Sequence, residues 1–151
     1  MKLFQIEEPD GSPSDPDAPG AAIGIDASGK LAEVAFAVGG NAVILSDREG
    51  FERDLPVPTL DAGIDAWQML FEGARIRAER NLARPVTHAV LAVAKEPTEG
   101  AIAHLGKAAA TGGLELLVVL KWDNISLAAV GRPSLAAAMI AEDAAPPPRA
   151  F

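Results

Sequence analysis

Two short, almost continuously apolar runs, joined by one helical pattern, constrain this chain more than any other feature. The runs are "PVTHAVLAVA" at residues 85–94 and "LELLVVL" at residues 114–120. Between them, Glu96 or Thr98 beside Pro97 can open a helix. Ile102, Leu105 and Ala109 would form its inner face, and Gly112 and Gly113 would close it. Consecutive strands joined through a helix pair in parallel by a crossover. The near-continuous hydrophobicity of the second run predicts a strand buried on both faces. The expectation is therefore an α/β sheet carrying helices.

Upstream, the apolar run "AAIGID" is followed by "KLAEVAFAV", in which Leu31, Val34, Phe36 and Val38 alternate, and then by "NAVILS". Gly39, Gly40 and Asn41 tolerate positive φ, so "VGGN" signals a tight hairpin. Three antiparallel strands should open the domain. Thr59 or Asp61 can then cap a helix whose inner stripe is Ile64, Trp67, Phe71, Ala74 and Ala78. Downstream, Asp123 or Asn124 starts another helix, and Ser134 caps a last one over "LAAAMIA". The order is βββαβαβα, the ribonuclease H-like order.

The ends differ in composition. Residues 1–20 read as a flexible acidic leader, because "EEPDGSPSDPDAPG" has too little apolar content to order itself. "MKLFQI" ahead of that stretch suits an edge strand or a docking segment. Residues 21–142 form the folded domain, and 143–151, with a triple proline, a flexible tail. At 151 residues with 49% hydrophobic content, one domain with a sizeable core is expected. The net charge of −8 argues against nucleic acid and anionic membrane as partners. The chain has no cysteine, which excludes thiol catalysis and suits a reducing cytoplasm. No signal peptide or membrane span is evident.

Several segments resemble the first lobe of DnaK-type heat-shock chaperones, in the actin-like ATPase superfamily. "AIGIDASGKLAEVAF" is similar to their first phosphate loop, usually Gly-Ile-Asp-Leu-Gly-Thr-Thr followed by a strand. "VILSDREGFERDLPVP" is similar to their third strand and Glu-Gly turn, and "NLARPVTHAVLAVA" to a helix end and Pro-Val-Thr-x-Ala-Val strand. The likeness covers roughly residues 21 to 131. It implies an actin/chaperone lobe whose remnant of a phosphate or nucleotide site is Asp26, Ser28, Gly29 and Lys30, with Asp26 a metal ligand.

The departures shape the functional expectation. Ser28, Gly29 and Lys30 stand where relatives carry Gly-Thr-Thr, although Lys30 can meet a phosphate as a point charge. The fifth strand of relatives ends in Asn-Glu-Pro-Thr, and here Trp122 takes the place of that Glu. The insertion bearing the family's catalytic lysine is absent, and the sequence spans one lobe of the two that enclose the family's nucleotide. The expectation is a degenerate stand-alone lobe acting by contact with a protein partner or in a homodimer, without ATPase activity or a required cofactor. Trp122 is its candidate interface anchor, and ATP-Mg is at most a weak ligand.

Two other readings carry chemistry. One is a metal-dependent nuclease of the Holliday-junction resolvase kind, since "WDNISL" is similar to their Asp-Glu-Arg-x-Ser-Thr element. Asp26 and Asp123 would be metal ligands, with Glu96 a third carboxylate. Asn124 replaces the element's Glu, and the net charge is wrong for gripping DNA. The other is nucleotide binding in a cleft built by two copies. His88 and His104 read as satisfied or surface histidines. Arg75, Arg77, Arg80 and Arg84 read as a solvated helix face that could also grip an acidic segment.

Overall fold

The computed structural model describes residues 20–45, 55–122 and 132–145. They form a five-stranded mixed sheet with three helices: β1 (Ala21–Ala27), β2 (Glu33–Val38), β3 (Asn41–Leu45), α1 (Ile64–Leu82), β4 (Val86–Val93), α2 (Glu99–Thr111), β5 (Glu115–Lys121) and α3 (Pro133–Ala144). The strand order is β3-β2-β1-β4-β5. β1, β2 and β3 are antiparallel to their neighbours in that group, whereas β4 runs parallel to both β1 and β5. The helix expected to start at Asp123 or Asn124 lies outside the described residues.

Each element follows from local chemistry, with corrections. Gly39 (φ +62°) and Gly40 (φ +82°) occupy the two central positions of the β2–β3 turn. Positive φ at both positions is the two-residue hairpin that matches strand twist. β2 begins at Glu33, later than the alternation from Leu31 predicts. Leu31 instead bridges Pro56, and both Leu31 and Val38 are exposed. Val34 and Ala35 are both buried, because β2 is covered on its two faces.

α1 starts at neither expected cap. Its N-cap is Gly63, because the Thr59 hydroxyl donates to Asp61 (2.6 Å) and the chain turns once more, with Ala62 N donating to Thr59 O. The inner stripe is Trp67, Leu70, Phe71, Ala74 and Ala78, with Ile64 half-buried at the entry. Trp67 donates its indole N–H to Thr59 O (2.9 Å) and meets Phe71 at a 6.0 Å centroid distance, tilted. α2 is capped as expected by Thr98, whose Oγ1 accepts from Ala101 N. Ile102, however, is exposed, and the inner face is Leu105, Ala108 and Ala109.

β5 is half-buried rather than enclosed, because it is an edge strand paired only with β4 among the described residues. In α3 the N-cap is Arg132 and Pro133 holds the first turn, so Ser134 is already inside the helix. Ser134 is fully buried and donates to Glu33 Oε1 (2.5 Å), while Arg132 donates to Glu33 Oε2 (2.7 Å).

The sheet separates two apolar layers. On one face, Ile23, Ile25 and Ala27 of β1 pack with α1 and α2 in the main core. On the other face, Ala22, Ala35, Ala37, Val90 and Ala92 pack against the alanines of α3. α3 lies very close to the sheet: a Cβ on Gly24 would stand 2.2 Å from Ala138 N and 2.6 Å from Ala137 C. Its far end is pinned by Glu142, whose carboxylate accepts from Gly39 N (2.6 Å) and Gly40 N (3.2 Å).

Candidate functional site

The carboxyl ends of β1, β4 and β5 meet at one end of the sheet, where parallel α/β sheets usually receive ligands. β1 delivers Asp26 and the turn of Ser28, Gly29 and Lys30. β4 delivers Ala94, Lys95 and Glu96, and β5 delivers Trp122, since Val93 is level with Lys121.

Asp26 is committed to its own turn. Its Oδ1 accepts from Ser28 N (2.9 Å) and Ser28 Oγ (2.5 Å), the local closure by which an Asx residue stabilises a strand exit. Gly29 and Lys30 are exposed, and the Lys30 carbonyl accepts from Val57 N. The alternation of β1 puts Asp26 on the α3 face with Gly24, and Ala27 on the α1 face. Glu33 stands opposite Asp26 across the β1–β2 ladder. The sequence reading missed this second carboxylate. The hairpin implied only that some residue would face Asp26, not which one. Glu33 is already held by Ser134 and Arg132.

On the α1 face, Ala27, Thr59, Leu60, Val93 and Lys95 line a groove of about 440 Å³. It shares Leu60 and Asp61 with a second hollow of about 430 Å³ that reaches Glu96, Thr98 and His104. The Thr59 hydroxyl holds the Asp61 carboxyl below its ordinary 3.8, helped by the Asp61 backbone and the Lys95 charge against a small opposing effect of burial. The walls are mainly apolar, with Lys95, Asp61 and Glu96 at the rim. Trp122, at the adjoining strand end, is 39% exposed.

The residues expected to converge are distributed as follows. Asp26, Ser28, Gly29 and Lys30 share one turn, but Asp26 and the groove lie on opposite faces of the sheet. Asp123 and Asn124 fall outside the described residues. Glu96 lines the second hollow. No group of three His, Asp or Glu side chains placed to share a metal occurs among the described residues.

Both histidines have partners. His104 donates Nε2–H to Ala62 O (2.9 Å), since a carbonyl can only accept. His88 is buried. Thr87 Oγ1, which accepts from Gly20 N (2.8 Å), is hydrogen-bonded to Nδ1 at 2.7 Å, and Nε2 faces Glu115 Oε1 at 3.6 Å.

The basic run is only partly a solvated face. Arg75 donates to Gly112 O (2.9 Å) and Glu79 Oε1 (3.0 Å), and Glu79 Oε2 accepts from Val86 N (3.0 Å). These contacts tie α1 to the end of α2 and the start of β4.

No family model matches the chain, and no curated protein does. Among the described residues no helix is long and apolar enough to cross a membrane.

Proposed function

We propose that this chain is a protein-interaction lobe of the ribonuclease H-like, actin/DnaK-like type, acting by contact with a protein partner or a second copy and not by ATP hydrolysis. The sheet order, three antiparallel strands followed by two joined through helical crossovers, suits that class. The observation that carries the reading is at the carboxyl end of the sheet. The Asp26 carboxylate is turned into its own loop by Ser28, while Trp122, one residue past β5, is part-exposed and an apolar groove lined by Leu60 and Val93 opens at the same end of the sheet. A part-exposed aromatic residue and an apolar recess rimmed by charges, at one end of a sheet, are features that binding surfaces use. In an ungapped reading of the resemblance, this tryptophan stands where the chaperones carry a Glu that helps position metal-bound water.

Sedimentation equilibrium together with isothermal titration of ATP-Mg²⁺ tests the reading. The expected outcome is reversible self-association, or capture of a specific partner, with no nucleotide heat. A strict monomer that binds and hydrolyses ATP would overturn it.

One observation favours a second reading, nucleotide binding between two copies. The groove is large enough for a small ligand and carries Lys95 at its rim. Its signature in the same titration is one nucleotide per two chains, together with a nucleotide-dependent mass.

A further inference from the structure

The two faces of the sheet are covered by different means. On the α1 side the core holds large, fully buried side chains, among them Trp67, Phe71, Ile25, Leu91 and Leu105. The buried residues of α3 on the other face are Ser134 and four alanines, while Leu135, Met139 and Ile140 are half-buried. A buried methyl group contributes only a fraction of what a buried leucine or tryptophan does, so α3 draws less from apolar burial than α1. The close approach at Gly24 adds dispersion contacts, but these fall off steeply once the backbones separate.

Polar contacts fasten the two ends of α3 to the two ends of one strand, β2. Glu33, the first residue of β2, accepts from Ser134 and Arg132 at the start of the helix. Glu142, near the other end, accepts from the amides of Gly39 and Gly40, which directly follow β2. The lengths agree. The helix from Ser134 to Glu142 covers about 12 Å. The strand from Glu33 to Gly39 covers about 20 Å, and the Glu33 and Glu142 side chains reach across the difference. A carboxylate near a helix C-terminus opposes the helix dipole, and the last turn of α3 holds no basic residue. Glu142 therefore stabilises α3 through the hairpin amides and not through the helix itself.

We infer that α3 is a strap, closed over the sheet by a clasp at each end, which opens as one unit while the α1 side of the sheet stays folded. The clasps hold it in register, and the backbone fit at Gly24 makes seating all-or-none. Detached, a helix of 12 residues is too short to persist in water, so opening also melts it. Opening uncovers Ala22, Ala35, Ala37, Val90 and Ala92, a smooth small-residue face that the closed strap covers. The strap thereby controls access to that face, whatever acts at the carboxyl end of the sheet.

Native-state amide exchange on the full chain in low urea tests the inference. The amides from Ala136 to Ala144 should report one shared opening. It should be about tenfold or more as populated as the opening that frees β1 and β4, and less steeply dependent on urea. Glu142→Ala removes the hairpin clasp and should raise that opening about tenfold, at Ala136 as much as at Ala144. Ile23→Val, in the core on the other face, should speed β4 exchange about fivefold and leave α3 unchanged, because that core stays closed when α3 opens. Three results overturn the inference. They are α3 amides that open only together with β4, a Glu142→Ala effect that is absent or confined to the last turn, and a response of α3 to Ile23→Val equal to that of β4. None of them bears on the Trp122 surface, which lies at the carboxyl ends of the parallel strands.

Discussion

At the scale of single residues, the candidate site is governed by short hydroxyl–carboxylate pairs. Ser28 closes on Asp26, and Thr59 donates to Asp61. The Thr59 bond favours the ionised Asp61 carboxylate, because an acid that is hydrogen-bonded as an anion gives up its proton more readily. Thr59→Val should therefore move the Asp61 titration upward toward 3.8, as read by carboxyl-carbon NMR. The sign of the stability effect follows. A depressed folded value contributes stability that is present above the unfolded value and is lost as pH falls through the folded one. The stability difference between wild type and T59V should accordingly shrink as the solution is acidified below 3.8. Asp26 was legible in the sequence as a strand-end aspartate beside a small-residue turn. That its acceptor oxygen is spent on Ser28 was legible only as the ordinary habit of aspartate at turns. Glu33 was not legible as a partner of anything, because its ligands come from about a hundred residues away.

At the scale of elements, the decisive contact is α3 against β1. Three consecutive alanines in α3 and a glycine in β1 let helix and strand backbones approach almost to contact, which larger side chains would prevent. Gly24→Ala would drive a methyl group into the backbone at Ala137 and Ala138, which cannot yield as a side-chain tip can. It should cost about 2–3 kcal/mol or more in urea unfolding, at the upper end of overpacking. Gly106→Ala, in α2 with nothing near the added Cβ, should be neutral or stabilising by up to about 1 kcal/mol through helix propensity. A reversed order of the two variants would mean that α3 is not seated on Gly24. The small-residue run of α3 was readable as a helix, but its role as a close-packing surface was not. A stripe of alanines carries the same pattern whether it faces a sheet, another helix or solvent.

At the scale of the whole molecule, the sheet is covered on both faces but retains part-exposed apolar side chains at its edges. Val38 and Val43 lie beside the β2–β3 turn, and Trp122 lies at the end of β5. An acidic chain with a net charge of −8 repels copies of itself at long range, so a stable contact must be local and apolar. If Trp122 anchors such a contact, Trp122→Ala should weaken association by about 2 kcal/mol, the scale of an interface hot spot. Sedimentation equilibrium would show it as a dissociation constant raised roughly thirtyfold, with the circular dichroism spectrum unchanged because the indole is not in the core. An unchanged association constant would remove Trp122 from the interface.

The sequence by itself determined the order of the described elements, the tight β2–β3 turn, the parallel pairing forced by helical crossovers, and most of the inner stripe of α1. All of these are local in origin: backbone conformation at Gly39 and Gly40, the 3.6-residue period from Trp67 to Ala78, and the short apolar runs of β1 and β4. Only the tertiary structure decided that β5 is an edge among the described residues, that Ser134 and Arg132 hold Glu33, that Glu142 fastens the hairpin amides, and that Arg75 braces α2. These depend on which distant group arrives beside a given charge or face. Periodicity records that a face is apolar or that a residue is charged. It holds no record of the partner, because that partner is set by the packing of elements up to about a hundred residues apart.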